Sequence, residues 1–153
     1  MRGLTSALAA FSFASVLVLS AATRIDDPKN FVTEVYRHYV QPSSSSYRPP
    51  EDIYTARLEK LIRDDRRKAK GEVGCLEFNF WVNGQDWEIT NLTITSTDEG
   101  QDRKTVIAKF VSFGDPQEIH FDFRRNAGRW QLDDVHSVLT PQWTLSEILK
   151  CAP

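Results

Sequence analysis

The segment EIHFDFRRNAGRWQLDDV, residues 118–135, decides the class of fold. After Asn126-Ala127-Gly128, which has turn chemistry, the chain enters RWQLDDV, where Trp130 and Leu132 point the same way. The first half alternates apolar and polar side chains: Ile119, Phe121 and Phe123 against His120 and Asp122. A period of two residues is typical of a strand with one buried face. The segment therefore predicts an antiparallel hairpin.

Three further strands are predicted upstream of this hairpin. TVIAKFVSF, residues 105–113, is apolar on both faces, which favours a central position. EITNLTITST, residues 88–97, predicts a strand whose alternation of apolar and polar residues slips between Ile89 and Leu92. A β-bulge at Thr90-Asn91 would produce such a slip. LEFNFW, residues 76–81, alternates again and predicts the first strand of the sheet.

Two helices are predicted before the sheet and a short one after it. Asp26-Asp27-Pro28 has the pattern that opens a helix, and apolar residues then recur at helical spacing as far as Val40. A second amphipathic helix is predicted from Glu51 to Lys70, and TPQWTLSEILKC ends in a short one. These elements describe an α+β domain in which two long helices lie on one face of a curved antiparallel sheet of about five strands.

Length and composition fit one secreted domain. The chain has 153 residues, of which 41% are hydrophobic and 26% charged, as in an ordinary globular protein. Residues 1–22 carry a single charge, Arg2, and end in small residues, which is typical of a secretory signal. Cleavage after Ala22 would leave residues 23–153 as one domain, periplasmic or secreted and without a membrane span. An uncleaved N-terminal anchor is the alternative.

Charge gives no reason to expect a nucleic-acid partner. The formal net charge is -2, and Asp64 and Asp65 interrupt the basic run of residues 63–70. Such a run is typical of a solvated helix end, whereas specific binders carry basic faces across a domain. No two histidines have metal-ligand spacing, so neither a metal nor a cofactor is expected.

The two cysteines, Cys75 and Cys151, have no CxxC spacing and no histidine partner, which makes a metal site or a nucleophile a poor interpretation. An oxidising compartment permits a disulfide between them. Such a bond would tie the C-terminus to the start of the sheet. Free thiols are the alternative.

The stretch WVNGQDWEIT, residues 81–90, predicts a second hairpin. A two-residue turn at Asn83-Gly84 would place Phe80 opposite Trp87 on the core face. Trp87 is then predicted to be a core residue, and Trp81, with Gln85 and Asp86, is left at the rim as a candidate contact. Ligand should accordingly quench Trp81 but not Trp87. A wider loop over residues 82–86 is the alternative.

The block GEVGCLEFNFWVNGQDWEITNL, residues 71–92, resembles a secreted bacterial domain-of-unknown-function family that carries GEVG-x-LDF followed by NGQDW-x-I. Two further family features are a tyrosine-arginine-leucine pattern and a tryptophan before an acidic pair, matched here by Tyr54, Arg57, Leu58 and Leu61 and by Trp130, Asp133 and Asp134. The resemblance covers nearly the whole mature chain, and NGQDW is its most specific part. It implies a nuclear-transport-factor-2-like, or cystatin-like, cone in which helices cover a bent sheet around a pocket, and it implies no established reaction. Cys75 stands where the family has a basic residue, so the disulfide has no family support.

A cone of this kind could hold acid-base chemistry. Asp65 falls within the apolar stripe of the second predicted helix, where a carboxylate needs a partner or a cavity. With Asp86 it could transfer protons, while Tyr36 and Tyr54 orient a carbonyl. The other interpretation is that the tyrosines are core residues with satisfied hydroxyls and that Asp65 is structural.

Three functions stay open on the sequence alone. The first is a non-catalytic binding or accessory module whose cone pocket takes a small apolar or envelope-derived ligand. The second is an immunity-type protein that blocks a toxin in the periplasm, and the third is a pocket enzyme, either an isomerase, a dehydratase or a hydrolase. The partner is thus a small ligand or a protein of the cell envelope, and a homodimer is allowed. The predicted pocket set is Tyr36, Tyr54, Asp65, Trp81, Gln85 and Asp86.

Overall fold

The computed structural model describes residues 23–41 and 47–151. The predicted signal segment and its cleavage after Ala22 lie outside the described residues. Among the helices within these ranges, none has both the length and the apolar character needed to cross a membrane.

The sheet is an open antiparallel meander of five strands that pair in chain order. Its strands are β1 (Ile89–Asp98), β2 (Arg103–Ser112), β3 (Asp115–Asn126), β4 (Arg129–Ser137) and β5 (Trp143–Thr144). The helices are α1 (Pro28–Val40), α2 (Ala56–Ala69) and α3 (Leu145–Ile148). The prediction of an α+β fold with an antiparallel sheet of about five strands is confirmed.

The two long helices begin where capping side chains satisfy their first backbone N–H groups. Asp27 accepts a hydrogen bond from the Asn30 N–H at 2.7 Å, as the sequence predicts. The predicted start of the second helix at Glu51 is wrong, since α2 begins only after Thr55. The preceding residues pair instead with β4, where the Leu132 N–H donates to the Ile53 carbonyl at 2.8 Å.

Two bulges bend the sheet. The register of β1 against β2 shifts between Thr90 and Thr93, which confirms the predicted bulge, and Asn91 there has a positive φ of 53°. A second, unpredicted shift lies opposite the Asp122-Phe123 step of β3 and leaves Asp133 as an extra residue on β4. Bulges increase local twist and re-aim side chains.

The predicted first strand at residues 76–81 is wrong. This part of the chain belongs to an irregular segment, residues 71–88, with one isolated bridge between Asn79 and Gly84. Phe80, Trp81 and Val82 are all buried, and three consecutive buried side chains do not fit a strand with one buried face. The fifth strand is β5 instead, which pairs with His136 and Ser137.

The core lies between α1, the irregular segment and one face of the sheet. Ile119, Phe121 and Phe123 on β3 are at most 1% exposed, which confirms the predicted alternation of that strand. The ring of Phe121 stacks on Trp81 at a centroid distance of 4.6 Å and lies 6.2 Å from Tyr36 of α1. The irregular segment is therefore held by the core and is not a surface lip.

A disulfide joins Cys75 to Cys151, with their Cα atoms 6.1 Å apart. It confirms the predicted bridge and links the end of the described chain to the segment that follows α2. Disulfides form and persist in oxidising compartments.

The acidic pair Asp133-Asp134 connects α2, α3 and the sheet. The Asp133 carboxylate accepts hydrogen bonds from the Thr55 hydroxyl at 2.9 Å and from Arg124 Nε at 2.7 Å. Asp134 accepts from the Ser146 N–H at 3.0 Å and pairs with Arg57 at 3.3 Å. The start of α2, around Arg57, and the acidic pair of β4 thus touch each other.

Replacing Asp133 with asparagine should lower the free energy of unfolding by about 1–3 kcal/mol at neutral pH, because charge-assisted hydrogen bonds are lost. Burial raises the pKa of Asp133, but the Thr55 and Arg124 hydrogen bonds and the nearby Arg57 charge outweigh it and lower the pKa overall. A depressed folded-state pKa contributes stability above the unfolded value of about 3.9, and this stability is lost as the pH falls through the folded pKa.

The measurement is urea unfolding of wild type and Asp133→Asn between neutral and strongly acidic pH. The stability gap between them should narrow below about pH 4. Asp115→Asn, an exposed carboxylate at the start of β3, is the control and should show little change. A gap independent of pH would contradict the ionic role of Asp133.

Candidate functional site

An open groove of about 590 Å³ lies beside the irregular segment. Its walls come from the end of α1, from residues 48–54 before α2 and from residues 76–87. Six of its lining residues are aromatic: Tyr39, Tyr54, Phe78, Phe80, Trp81 and Trp87. This volume lies within the range of small-molecule sites.

Asn79 organises the loop that forms one wall. Its N–H donates to the Gly84 carbonyl at 3.0 Å, and its side-chain oxygen accepts from the Trp81 N–H at 3.0 Å. Its side-chain nitrogen donates to the Tyr39 hydroxyl at 3.1 Å. The loop therefore spans residues 80–83. Both the predicted two-residue turn at Asn83-Gly84 and the alternative loop over residues 82–86 are wrong.

The two tryptophans exchange their predicted environments. Trp81 is 2% exposed, and its backbone carbonyl accepts a hydrogen bond from the Tyr36 hydroxyl at 2.5 Å. Trp87 is only half-buried, donates from Nε1 to the Tyr39 carbonyl at 3.0 Å and packs edge-on against that ring at 5.2 Å. Because the loop closes at Asn79, Trp81 turns into the core and Trp87 stays at the groove. The predicted order of core and rim is thus wrong.

Four of the six predicted pocket residues line the groove: Tyr54, Trp81, Gln85 and Asp86. Tyr36 does not, because it is 0% exposed and its hydroxyl is taken by the Trp81 carbonyl. Burial raises its pKa well above the ordinary value, with a smaller contribution from Tyr39. Tyr36 is therefore a core tyrosine with a satisfied hydroxyl.

Asp65 lies outside the groove and has a structural partner. It is 6% exposed, and its carboxylate accepts a hydrogen bond from the Cys75 N–H at 2.8 Å. A Cβ atom at Gly74 would overlap this carboxylate, so a glycine is needed there. Asp65 lines a separate cavity of about 340 Å³ that Asp86 does not reach. The predicted catalytic pair is not brought together.

Asp65, Cys75 and Cys151 also place three metal-ligating atoms within 4.8 Å of one another. The two sulfurs are bonded to each other, and a thiolate is the species that binds a metal. This cluster therefore offers one carboxylate and no thiolate ligand.

Tyr54 supplies a hydrogen-bond donor to the groove. Burial raises its pKa to about 12, with Glu51 adding to the shift, so the phenol stays protonated at neutral pH. Within residues 23–41 and 47–151, no side chain hydrogen-bonds this hydroxyl. Glu51 itself is engaged by Arg66 through two contacts of 3.0 and 2.7 Å, and that hydrogen bonding lowers its pKa.

The groove contains residues that sequence reasoning missed. The sequence pattern puts Tyr39 on the apolar side of the first helix and Asn79 on the polar face of the predicted strand 76–81, so it indicates a pocket role for neither. A signal for the loop was available in Asn83, which adopts a positive φ of 55°, since asparagine tolerates this conformation in turns. The distant pairing of Asn79 with Tyr39 had no sequence signal.

Comparisons of the chain with family models, with curated proteins and with solved structures gave no match. The groove and its chemistry are therefore the features of this protein that indicate a function.

Proposed function

We propose that the protein is a secreted, non-catalytic binding or accessory module of the nuclear-transport-factor-2-like type, whose groove takes a small ligand. The observation that carries this proposal is the groove of about 590 Å³ with partly buried aromatic rings at Tyr54, Phe78 and Trp87. Aromatic side chains with a few convergent polar groups are what small-molecule sites use for affinity and orientation.

The chemistry of the groove favours an amphipathic ligand. An apolar face would pack on Trp87 and Phe78, and an acceptor on the ligand would accept a hydrogen bond from the Tyr54 hydroxyl. The exposed Gln85 and Asp86 would meet polar groups at the opening. Glu77 and Asp86 border the groove against one cation among the described lining residues, Arg48, while Glu51 is paired with Arg66. Neutral or cationic ligand groups are therefore favoured over anionic ones.

The cone and the secreted location are supported indirectly. The face of the sheet that carries Phe121 and Phe123 is covered by α1 and by the irregular segment, as a cone requires. The disulfide suits an oxidising compartment. The pocket enzyme is less well supported because Asp65 and Asp86 line different cavities. The immunity-type protein is also less well supported, because binding a toxin would need a protein-binding face and the groove is concave.

The proposal predicts that Trp87→Ala weakens binding of N-phenyl-1-naphthylamine, a neutral aromatic probe, by about tenfold or more, since burial of an aromatic ring contributes more than 1.4 kcal/mol. The measurement is a fluorescence titration of the probe together with energy transfer from tryptophan. Saturation at one probe per chain is expected for wild type.

Phe113→Ala is the matched control for the probe experiment. Phe113 is an aromatic residue that is 64% exposed and lies outside the groove, so its removal should leave the affinity unchanged. Equal losses in the two variants would indicate general surface adsorption and overturn the groove as the binding site. Unsaturable probe binding in wild type would do the same.

A further inference from the structure

His120 and His136 face each other on the side of the sheet away from the core. They form a cross-strand pair between β3 and β4, with ring centroids 5.1 Å apart and ring planes inclined by 47°. Their side chains are 19% and 30% exposed, so solvent and small ions reach them. The groove does not include either residue.

The bulge at Asp133 creates this pair. Near the turn, the register pairs Asn126 with Arg129 and Phe123 with Leu132. Continued without a bulge, the same register would set His120 opposite Val135. The extra residue moves the pairing by one position and places His136 opposite His120.

Each imidazole is oriented by a carboxylate on the same face. Glu118 Oε1 lies 2.8 Å from His120 Nε2, and Asp122 Oδ2 lies 3.4 Å from His136 Nδ1. In the neutral ring of His120, donation from Nε2 to Glu118 leaves Nδ1 with a free lone pair. In His136, a proton on Nδ1, the nitrogen beside Asp122, leaves the lone pair of Nε2 free. Histidines that bind metals characteristically donate their other N–H to a carboxylate in this way.

The orienting carboxylates are themselves held in place. Glu118 pairs with Lys109 at 3.1 Å, and Asp122 accepts from the Thr105 hydroxyl at 2.7 Å. Thr105 also approaches Glu99, whose carboxylate lies 3.2 Å from its hydroxyl. The carboxylates of Glu118 and Asp122 lie directly beside the two rings and favour a cation there, with Lys109 offsetting part of the Glu118 charge.

The spacing of the rings suits a shared ion. A Zn²⁺ ion bound at ~2.0–2.1 Å from an imidazole nitrogen lies ~3.2 Å from the ring centroid. With a free nitrogen of each ring directed at the same ion, rings with centroids 5.1 Å apart subtend an angle of about 105° at that ion, close to the tetrahedral value.

We propose that His120 and His136 form a two-histidine site for a divalent transition-metal ion such as Zn²⁺ or Cu²⁺, with water in the remaining positions. Imidazole nitrogen is a preferred ligand of both ions. The site lies on the opposite face of the sheet from the groove and does not depend on the function proposed for the groove.

Isothermal titration of the purified protein, without an affinity tag, with ZnCl₂ tests the site. We expect wild type to bind one Zn²⁺ per chain. His120→Gln and His136→Gln should each lower the affinity about tenfold or more, because the one remaining imidazole cannot chelate the ion. His38→Gln is the matched control, since His38 lies on α1 and stacks on Tyr47 at 4.0 Å. It should bind Zn²⁺ as wild type does.

Absence of saturable Zn²⁺ binding up to about 1 mM would overturn the proposal, as would equal losses in all three variants. If the glutamine variants fail to fold, substoichiometric Cu²⁺ and wild-type protein decide the question by nuclear magnetic resonance. The imidazole signals of His120 and His136 should broaden before that of His38. Equal broadening of the three would rule out the pair as a site.

Discussion

Replacing both cysteines with serine should lower the free energy of unfolding by about 2–5 kcal/mol, the largest effect expected for a change outside the aromatic core. The bond joins residues 76 positions apart, so it restricts a loop that contains the entire sheet. A loop of this length gives ~4.5 kcal/mol in the chain-entropy account, before any strain in the folded state is subtracted.

The segments around Cys75 and Cys151 are also held by contacts other than the disulfide, so the native structure should survive its removal. The Cys75 N–H donates a hydrogen bond to the Asp65 carboxylate at 2.8 Å, and Lys68 Nζ donates one to the Cys151 carbonyl at 3.3 Å. Urea unfolding of the double variant should therefore show a cooperative transition at lower urea concentration.

Reductant provides the control for the cysteine variant. Dithiothreitol should destabilise wild type to about the level of the double variant and leave the double variant itself unchanged. A loss below about 1 kcal/mol in both experiments would mean that the unfolded chain is already compact around this loop.

The parts of the fold that sequence predicts well are those fixed by local patterns. The alternation through Ile119, Phe121 and Phe123 places β3, and the cap at Asp27 places the start of α1. The predicted short C-terminal helix is present as α3, although the side chain of Thr144, which precedes it, makes no capping hydrogen bond. Each of these features depends on neighbours within a few residues.

The errors arise where distant residues decide the structure. Phe78 and Phe80 alternate as in a strand, but Asn79 bonds to Tyr39 of α1 and closes a loop. A helical wheel places Asp65 on an inner face correctly, yet it gives no information on which cavity that face borders. The sequence therefore predicts only part of the groove. A helical wheel shows which side of a helix a residue faces, but the residues that contact it there are set by the tertiary fold.

One missed feature had a usable signal. Leu132 and Val135 are both buried on β4, although a regular strand sends residues three apart to opposite faces. That spacing indicates a bulge between them, and the bulge at Asp133 both builds the Arg57 network and aligns the two histidines. The acidic pair thus has a structural explanation that its charge alone did not suggest.

Trp81→Ala should lower the free energy of unfolding by about 3–5 kcal/mol, the usual cost of emptying a buried aromatic site. Its ring is stacked on Phe121 at 4.6 Å and lies 5.4 Å from Phe80 and 6.4 Å from Phe31. Removal would open a cavity at the point where the irregular segment rests on β3.

Trp87→Ala is the control because it removes the same side chain from the same segment. Trp87 is half-buried and keeps one hydrogen bond and one ring contact, both to Tyr39, so its loss should cost about 1–2 kcal/mol. Urea unfolding of the two variants measures the difference. A larger loss in Trp87→Ala than in Trp81→Ala would contradict the burial of Trp81 in the core and the position of Trp87 at the groove. The expected order instead ties stability to Trp81 and probe binding to Trp87, which separates the two roles within a single stretch of seven residues, 81–87.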